Sequence, residues 1–163
     1  MPAGPVVVDN TPLVALYVLG RLDLLGGLFG EVFIPSAVAE EFLATDAADR
    51  GAALERHPEI LTRRLTDPRR ALGYPGVDRG EAELLALAEE EDASLVVVDE
   101  RKARRLARRL EFPLTGTLGL LLLAKEHGLL DRVSMAIDSL QAAGLFIHAE
   151  LATRVVEMAG EGP

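Results

Sequence analysis

The chain has 163 residues, 49% of them hydrophobic, with a formal net charge of −9 and no cysteine. This length suits one domain, 1–163, with a core of its own (about 5–147) and a C-terminal helix over 150–158. Without thiols there is no disulfide framework, thiolate zinc site or cysteine nucleophile, a usage that suits a reducing cytosol. The opening Met1-Pro2-Ala3-Gly4-Pro5 lacks the basic and apolar regions of a signal peptide. The most apolar stretch, 118–124, is far shorter than the ~20 residues that span a bilayer. The expectation is a soluble, cytoplasmic protein.

Val6-Val7-Val8 reads as a strand ending in Asp9, and Thr11-Pro12 starts a helix through Leu13, Val14, Leu16 and Leu19. A short helix over 22–28 stops at Gly30. Strand 31–34 closes at Pro35-Ser36 and leads into a helix over 37–43. A polar helix over 46–57 and a weak, edge-like strand over 60–65 follow. The run 66–78, with Pro68, Gly73, Pro75 and Gly76, reads as an irregular, mobile loop. Asp78 caps a helix carrying Glu81 in its first turn and Leu84, Leu85, Leu87 and Ala88 on its inner face. Strand 95–98 ends in Asp99, and the helix after it buries Ala103, Leu106, Ala107 and Leu110. A strand over 112–115 then leads to Gly116 and an apolar helix. A helix over 129–142, a final strand over 145–147 and the last helix complete the chain. Strands alternating with helices in this way give an α/β domain with a central, mostly parallel sheet flanked by helices.

Positive charge is concentrated. Six of the 17 Lys and Arg residues lie between Arg101 and Arg109, leaving 11 basic against 26 acidic groups elsewhere. Arg101, Arg104, Arg105 and Arg108 fall at i, i+3, i+4 and i+7, on one stripe of the helix that begins beside Asp99. Such a stripe is either a solvated face, balanced by Glu100 and Glu111, or a track for phosphates that Arg63, Arg64, Arg69 and Arg70 would extend. Aromatics are few, so a nucleic acid would be held by backbone and shape. The helix over 118–123 is apolar on every side but Gly119, as a deep core helix or a homodimer interface would be.

In an open parallel sheet, ligands sit beyond the carboxyl ends of the strands, so Asp9 and Asp99 can converge on one cation. Glu41, on the helix after the second strand, and Glu81 can join them. Taken singly, Asp9 and Asp99 also suit helix caps, Glu81 a helix dipole, and the pair Glu40 and Glu41 a solvated face. There is no P-loop, dinucleotide fingerprint or Gly-X-Ser-X-Gly element, and His57, His127 and His148 have no metal-ligand spacing. A phosphoacceptor receiver domain is disfavoured because Gly116 follows the last strand where a lysine is needed.

Five segments carry a family resemblance. They are Val8-Asp9-Asn10-Thr11-Pro12-Leu13, Ile34-Pro35-Ser36-Ala37-Val38-Ala39-Glu40-Glu41, Gly80-Glu81-Ala82-Glu83, Val98-Asp99-Glu100-Arg101-Lys102-Ala103-Arg104 and Gly116-Thr117-Leu118-Gly119. In these residues and their order the chain resembles the PIN domain nucleases, most closely their toxin-like, VapC-like branch, over about 6–145. The resemblance implies a PIN-like three-layer fold and a metal-dependent endoribonuclease. Asp9, Glu41, Glu81 and Asp99 would be the catalytic acids and ligands of Mg²⁺ or Mn²⁺, with Thr11 as a supporting hydroxyl and Glu40 as the alternative to Glu41. Hard oxygen ligands suit these ions, one or two of which would activate water and neutralise phosphate. RNA, a cognate antitoxin and a second copy of the chain are the implied partners, with the arginine stripe as the RNA-binding element. A PIN-fold nucleic-acid-binding or regulatory protein without cleavage, and DNA as substrate, remain open alternatives.

Overall fold

The computed structural model describes residues 3–162. Five strands, β1 (Val6–Val8), β2 (Val32–Pro35), β3 (Ile60–Arg63), β4 (Leu95–Val97) and β5 (Leu114–Thr115), form one sheet in the order β3-β2-β1-β4-β5. Every neighbouring pair is parallel. The central strands are valine-rich and buried on both faces, as parallel sheets require. Their alternation divides the core. Val6, Val8, Val32, Ile34 and Val97 pack on one side with Leu13, Leu16, Leu24, Leu25, Leu120 and Leu121. On the other side, Val7, Phe33, Val96 and Val98 meet Leu84, Leu87, Ala88 and Ala103.

The first group of partners comes from α1 (Asn10–Val18), α2 (Asp23–Phe29) and α7 (Thr117–Glu126), and the second from α5 (Arg79–Glu91) and α6 (Arg101–Arg109). Between them stand α3 (Ser36–Leu43), which packs on both α1 and α5, and the polar α4 (Ala47–Glu55). The result is the three-layer α/β architecture expected of a PIN-like fold. Helix α1 starts at Asn10, so Pro12 lies in its first turn, where backbone N–H groups have no intrahelical acceptor and proline costs little.

Helices α8 (Val133–Ala142) and α9 (Ala149–Met158) lie over α7. They cover part of its apolar surface: Leu120, Leu121 and Ala124 are fully buried and Ile137, Leu140 and Val155 belong to the same cluster, while Leu118, Leu122 and Leu123 stay half-buried. Glu161 ties this layer down. Its carboxylate, only 5% exposed, accepts from Lys125 Nζ at 2.8 Å, the Val133 and Ser134 backbone N–H groups at 2.7 and 3.0 Å, and Ser134 Oγ at 2.7 Å. The start of α8 is thus capped by the chain end.

Three expectations need correction. The segment 145–147 forms no strand, although its residues alternate in exposure: it pairs with none of the five strands. The helix expected from residue 129 begins only at Val133, since the chain turns at Gly128 (φ +73°) and Leu129 caps α7 through its N–H on the Ala124 carbonyl. The run 66–78 holds a 3₁₀ helix, Pro68–Gly73, and is anchored where Glu90 accepts from the N–H groups of Thr66 and Asp67 at 2.8 and 3.0 Å. Among the described residues no single helix is long and apolar enough to cross a membrane.

Candidate active site

Counting outward from β1, the sheet order runs to β2 on one side and to β4 on the other, so the connections diverge between β1 and β4. Such a switch point opens a crevice at the carboxyl ends of the strands. Asp9 follows β1 there, its backbone N–H on the Val97 carbonyl at 2.9 Å. It is 5% exposed and occupies the N-cap position of α1, yet its side chain makes no capping hydrogen bond. Its carboxyl is pushed up to about 7. Burial is the main cause, helped by Glu81, Asp78 and Glu41 and opposed by the Asn10 backbone N–H. The helix-cap alternative therefore fails for Asp9.

Glu41 lies on α3 with its carboxylate against α5. A side chain at Gly80 would stand 3.1 Å from Glu41 Oε2 and 3.5 Å from Asp78 Oδ1, so glycine leaves room for two carboxylates there. Burial and Asp78 raise the pKa of Glu41, and the Asn10 amide acts the other way. Glu40 borders the same side of the molecule but is paired with Arg79 at 2.7 Å on the surface. The helix rotation that the sequence left open thus sets Glu41, not Glu40, toward Asp9. A cavity of about 380 Å³ opens at the surface beside Glu41, lined by Ala37, Glu40, Glu41, Asp78, Arg79 and Gly80.

Glu81 is buried but partly committed. It forms a reciprocal capping box, Asp78 Oδ1 accepting from the Glu81 N–H at 2.8 Å and Glu81 Oε1 from the Asp78 N–H at 3.1 Å. Burial raises its pKa, and the carboxylates of Asp78 and Glu100 add to the rise against the Asp78 N–H.

Asp99 ends β4 but does not cap α6. Glu100 does, accepting from the Ala103 N–H at 2.7 Å. Asp99 turns to the start of α7 and accepts from the Thr117 N–H at 2.8 Å and from Thr117 Oγ1 at 2.5 Å. Gly116 permits this approach, because a β-carbon there would collide with Asp99 Oδ1. Gly119 likewise makes room for the Thr115 hydroxyl. These contacts explain the Gly116-Thr117-Leu118-Gly119 element. Asp99 and the exposed Thr11 share a second cavity, of about 500 Å³.

The four predicted acids therefore divide. Glu41, Glu81 and Asp78 all act on Asp9, while Asp99 is held to one side by Thr117. Among the described residues no three of these acids converge closely enough to chelate one ion. The donor chemistry nevertheless suits a hard cation. Asp9 is desolvated, uncapped and beside other carboxylates, and Asn10 Oδ1 is buried with no hydrogen-bond partner. Sequence reasoning missed two contributors, Asn10 and Asp78. Asn10 gave no signal beyond its place next to Asp9, and the capping-box spacing of Asp78 and Glu81 pointed only to a helix start.

The arginine stripe needs one correction. Arg101, Arg105 and Arg108 are exposed, but Arg104 is half-buried, donating to the Val98 carbonyl at 2.7 Å, and burial lowers its pKa. It lies beside Asp99, next to Gly116. The suggested extension is largely engaged: Arg63 stacks 4.3 Å over Phe33, Arg69 pairs with Asp67 at 3.1 Å, and Arg70 with Glu90 at 3.8 Å.

Among solved structures, the chain resembles a PilT N-terminus domain protein from the hyperthermophilic archaeon Sulfolobus solfataricus P2. The TM-score is 0.51 at 18% identity, over 72% of this chain and 90% of that one, a likeness of fold. No curated protein sequence matches the chain significantly. The DUF3368 PIN domain model matches residues 5–161. PIN domains are generally nucleases that use divalent metal ions. With nearly its whole length matched, the chain belongs to the PIN domain family.

Proposed function

We propose that this protein is a Mg²⁺- or Mn²⁺-dependent endoribonuclease, resembling the VapC-like toxins. One observation carries the reading: a buried, uncapped Asp9 at the sheet's switch point, facing Glu41, Asp78 and Glu81. Asp9, with Glu41 or Glu81 as a second carboxylate, would hold the metal ion, which when bound would neutralise phosphate charge and lower the pKa of its water. Asp99, kept in one orientation by Thr117, accepts a proton or hydrogen bond from the attacking water. Thr11 supports the substrate beside it. A toxin of this kind has a cognate antitoxin, and a homodimer is the assembly expected from the resemblance.

A second reading, a PIN-fold RNA-binding protein that does not cleave, draws support from the capping duties of Glu81 and Asp99. Incubation of labelled single-stranded RNA with Mn²⁺ or with a chelator separates the two. Cleavage only with metal supports the nuclease; metal-independent binding without cleavage supports the second reading.

Glu41 and Glu40 provide an internal control. Glu41→Gln is expected to lower the cleavage rate by at least about 100-fold, as loss of an acid in the metal shell does. Glu40→Gln, which breaks only an exposed ion pair with Arg79, should change it less than about threefold. Comparable losses in both variants would remove Glu41 from its role.

The exposed arginines are expected to bind substrate phosphates and so let an acidic protein hold RNA. Replacing Arg101, Arg105 and Arg108 by Ala should weaken binding of all sequences alike. It should flatten the dependence of log K on log salt by roughly 0.7 for each phosphate that is no longer neutralised. An unchanged slope in a filter-binding titration would make them a solvated face.

A further inference from the structure

The second cavity differs in kind from the acidic one. One end is polar, formed by Thr11, Asp99, Arg104 and Thr117; the rest is an apolar wall from Leu118, Leu140, Leu151 and Val155. Its volume of about 500 Å³ lies in the range of small-molecule sites. Phe146 lines it while 89% exposed, so the ring stands at the mouth, with His148 two residues on. Among the described residues it is the one exposed aromatic ring. It belongs to the 145–147 segment that looked like a strand, in which Leu145 and Ile147 are half-buried and Phe146 and His148 face outward.

A flat apolar group with an anionic group attached matches this layout. The flat part fits the wall and ring, and the anion lies toward Arg104 and the exposed arginines of α6. We propose that this cavity binds one unpaired nucleobase of single-stranded RNA, stacked on Phe146, with its phosphate directed toward Arg104 and the exposed arginines of α6. The inference rests on the nucleic-acid reading above, and it names a base subsite that the few aromatics of the sequence did not suggest. Because the cavity shares Asp99 with the candidate active site, a base seated there fixes which phosphodiester reaches the acids. Stacking tolerates any base, so the subsite selects for unpaired strands rather than for a sequence.

The test uses the full chain and a fluorescein-labelled single-stranded oligoribonucleotide, measured by anisotropy in chelator so that cleavage plays no part. Phe146→Ala should weaken binding about tenfold, the scale of one base stack, and Phe146→Tyr should restore it. An oligonucleotide with one abasic position in the bound register should lose affinity for the wild type but not for Phe146→Ala. Hairpin duplex RNA should bind both alike. Equal affinity of wild type and Phe146→Ala for single strands would overturn the subsite, whatever the cleavage assay shows. Absence of any single-strand binding by the wild type would overturn it together with the RNA reading. If instead Phe146→Ala abolished a self-association seen by sedimentation and left RNA affinity intact, the mouth would be an interface between copies and the subsite would be refuted. Retained Phe146-dependent binding in a wild type that cleaves nothing would uphold the subsite and refute only the nuclease.

Discussion

Asp9→Asn is expected to abolish metal-dependent cleavage, by on the order of a thousandfold or more, while leaving a folded and more stable protein. The two effects share one origin. The Asp9 carboxyl titrates at about 7 in the folded chain against 3.8 when free, because it is buried among other acids. Between those values the native state holds a proton that the unfolded state has released. Without metal, the contribution of Asp9 to stability is therefore greatest below about pH 4 and falls as pH rises toward 7. Taken alone, Asp9 makes this loss up to about 4 kcal/mol. Glu41 and Glu81, also raised, act in the same direction. Asp9→Asn removes the largest part of that slope, so its melting temperature should exceed that of the wild type at pH 8 and approach it at pH 4. Thermal melts in chelator across that range check the sign; a variant less stable than wild type at pH 8 would contradict it.

The second large effect is structural and titrates the other way. Burial alone would raise the Glu161 carboxyl, but Lys125, Ser134 and the Val133 N–H hold it down at about 2, from 4.5. A group with a depressed folded pKa stabilises the protein above its unfolded value, and that contribution disappears as pH falls from about 4.5 to 2. Glu161→Ala strips the cap from α8 and leaves the half-buried Lys125 ammonium unpaired, at a cost of about 2–4 kcal/mol near neutral pH. Because α8 and α9 roof α7, the loss should first appear as faster amide exchange in α8. Denaturant unfolding at pH 7 checks the magnitude, and a change below about 0.5 kcal/mol would show that the chain end is not a clasp.

Much of the fold was legible because the signals were local. Valine triplets bounded by Asp9 and Asp99 marked buried parallel strands, and Asp78 with Glu81 three residues later marked the start of α5. The segment 145–147 misled for a physical reason: alternation of exposure belongs to any extended chain, but a strand also needs a hydrogen-bonded neighbour, and this segment has none. The site was legible at Asp9, whose position after β1 follows from topology, and at Glu41 only down to a choice between neighbours. What was hidden was side-chain commitment. No spacing rule shows that Glu100 rather than Asp99 caps α6, that Asp99 turns to Thr117 eighteen residues on, or that Arg104 turns back to the Val98 carbonyl, because neighbouring side chains compete for the same backbone groups and the folded packing decides between them.

The most direct measurement is the anomalous scattering of a crystal soaked in Mn²⁺. An Mn²⁺ peak bonded to the Asp9 carboxylate, with Glu41 or Glu81 in the same coordination shell and no such peak in Asp9→Asn, is the expected result. A fully occupied Mn²⁺ site elsewhere, with the Asp9 pocket bare, would contradict a metal-dependent active site at this point of the fold.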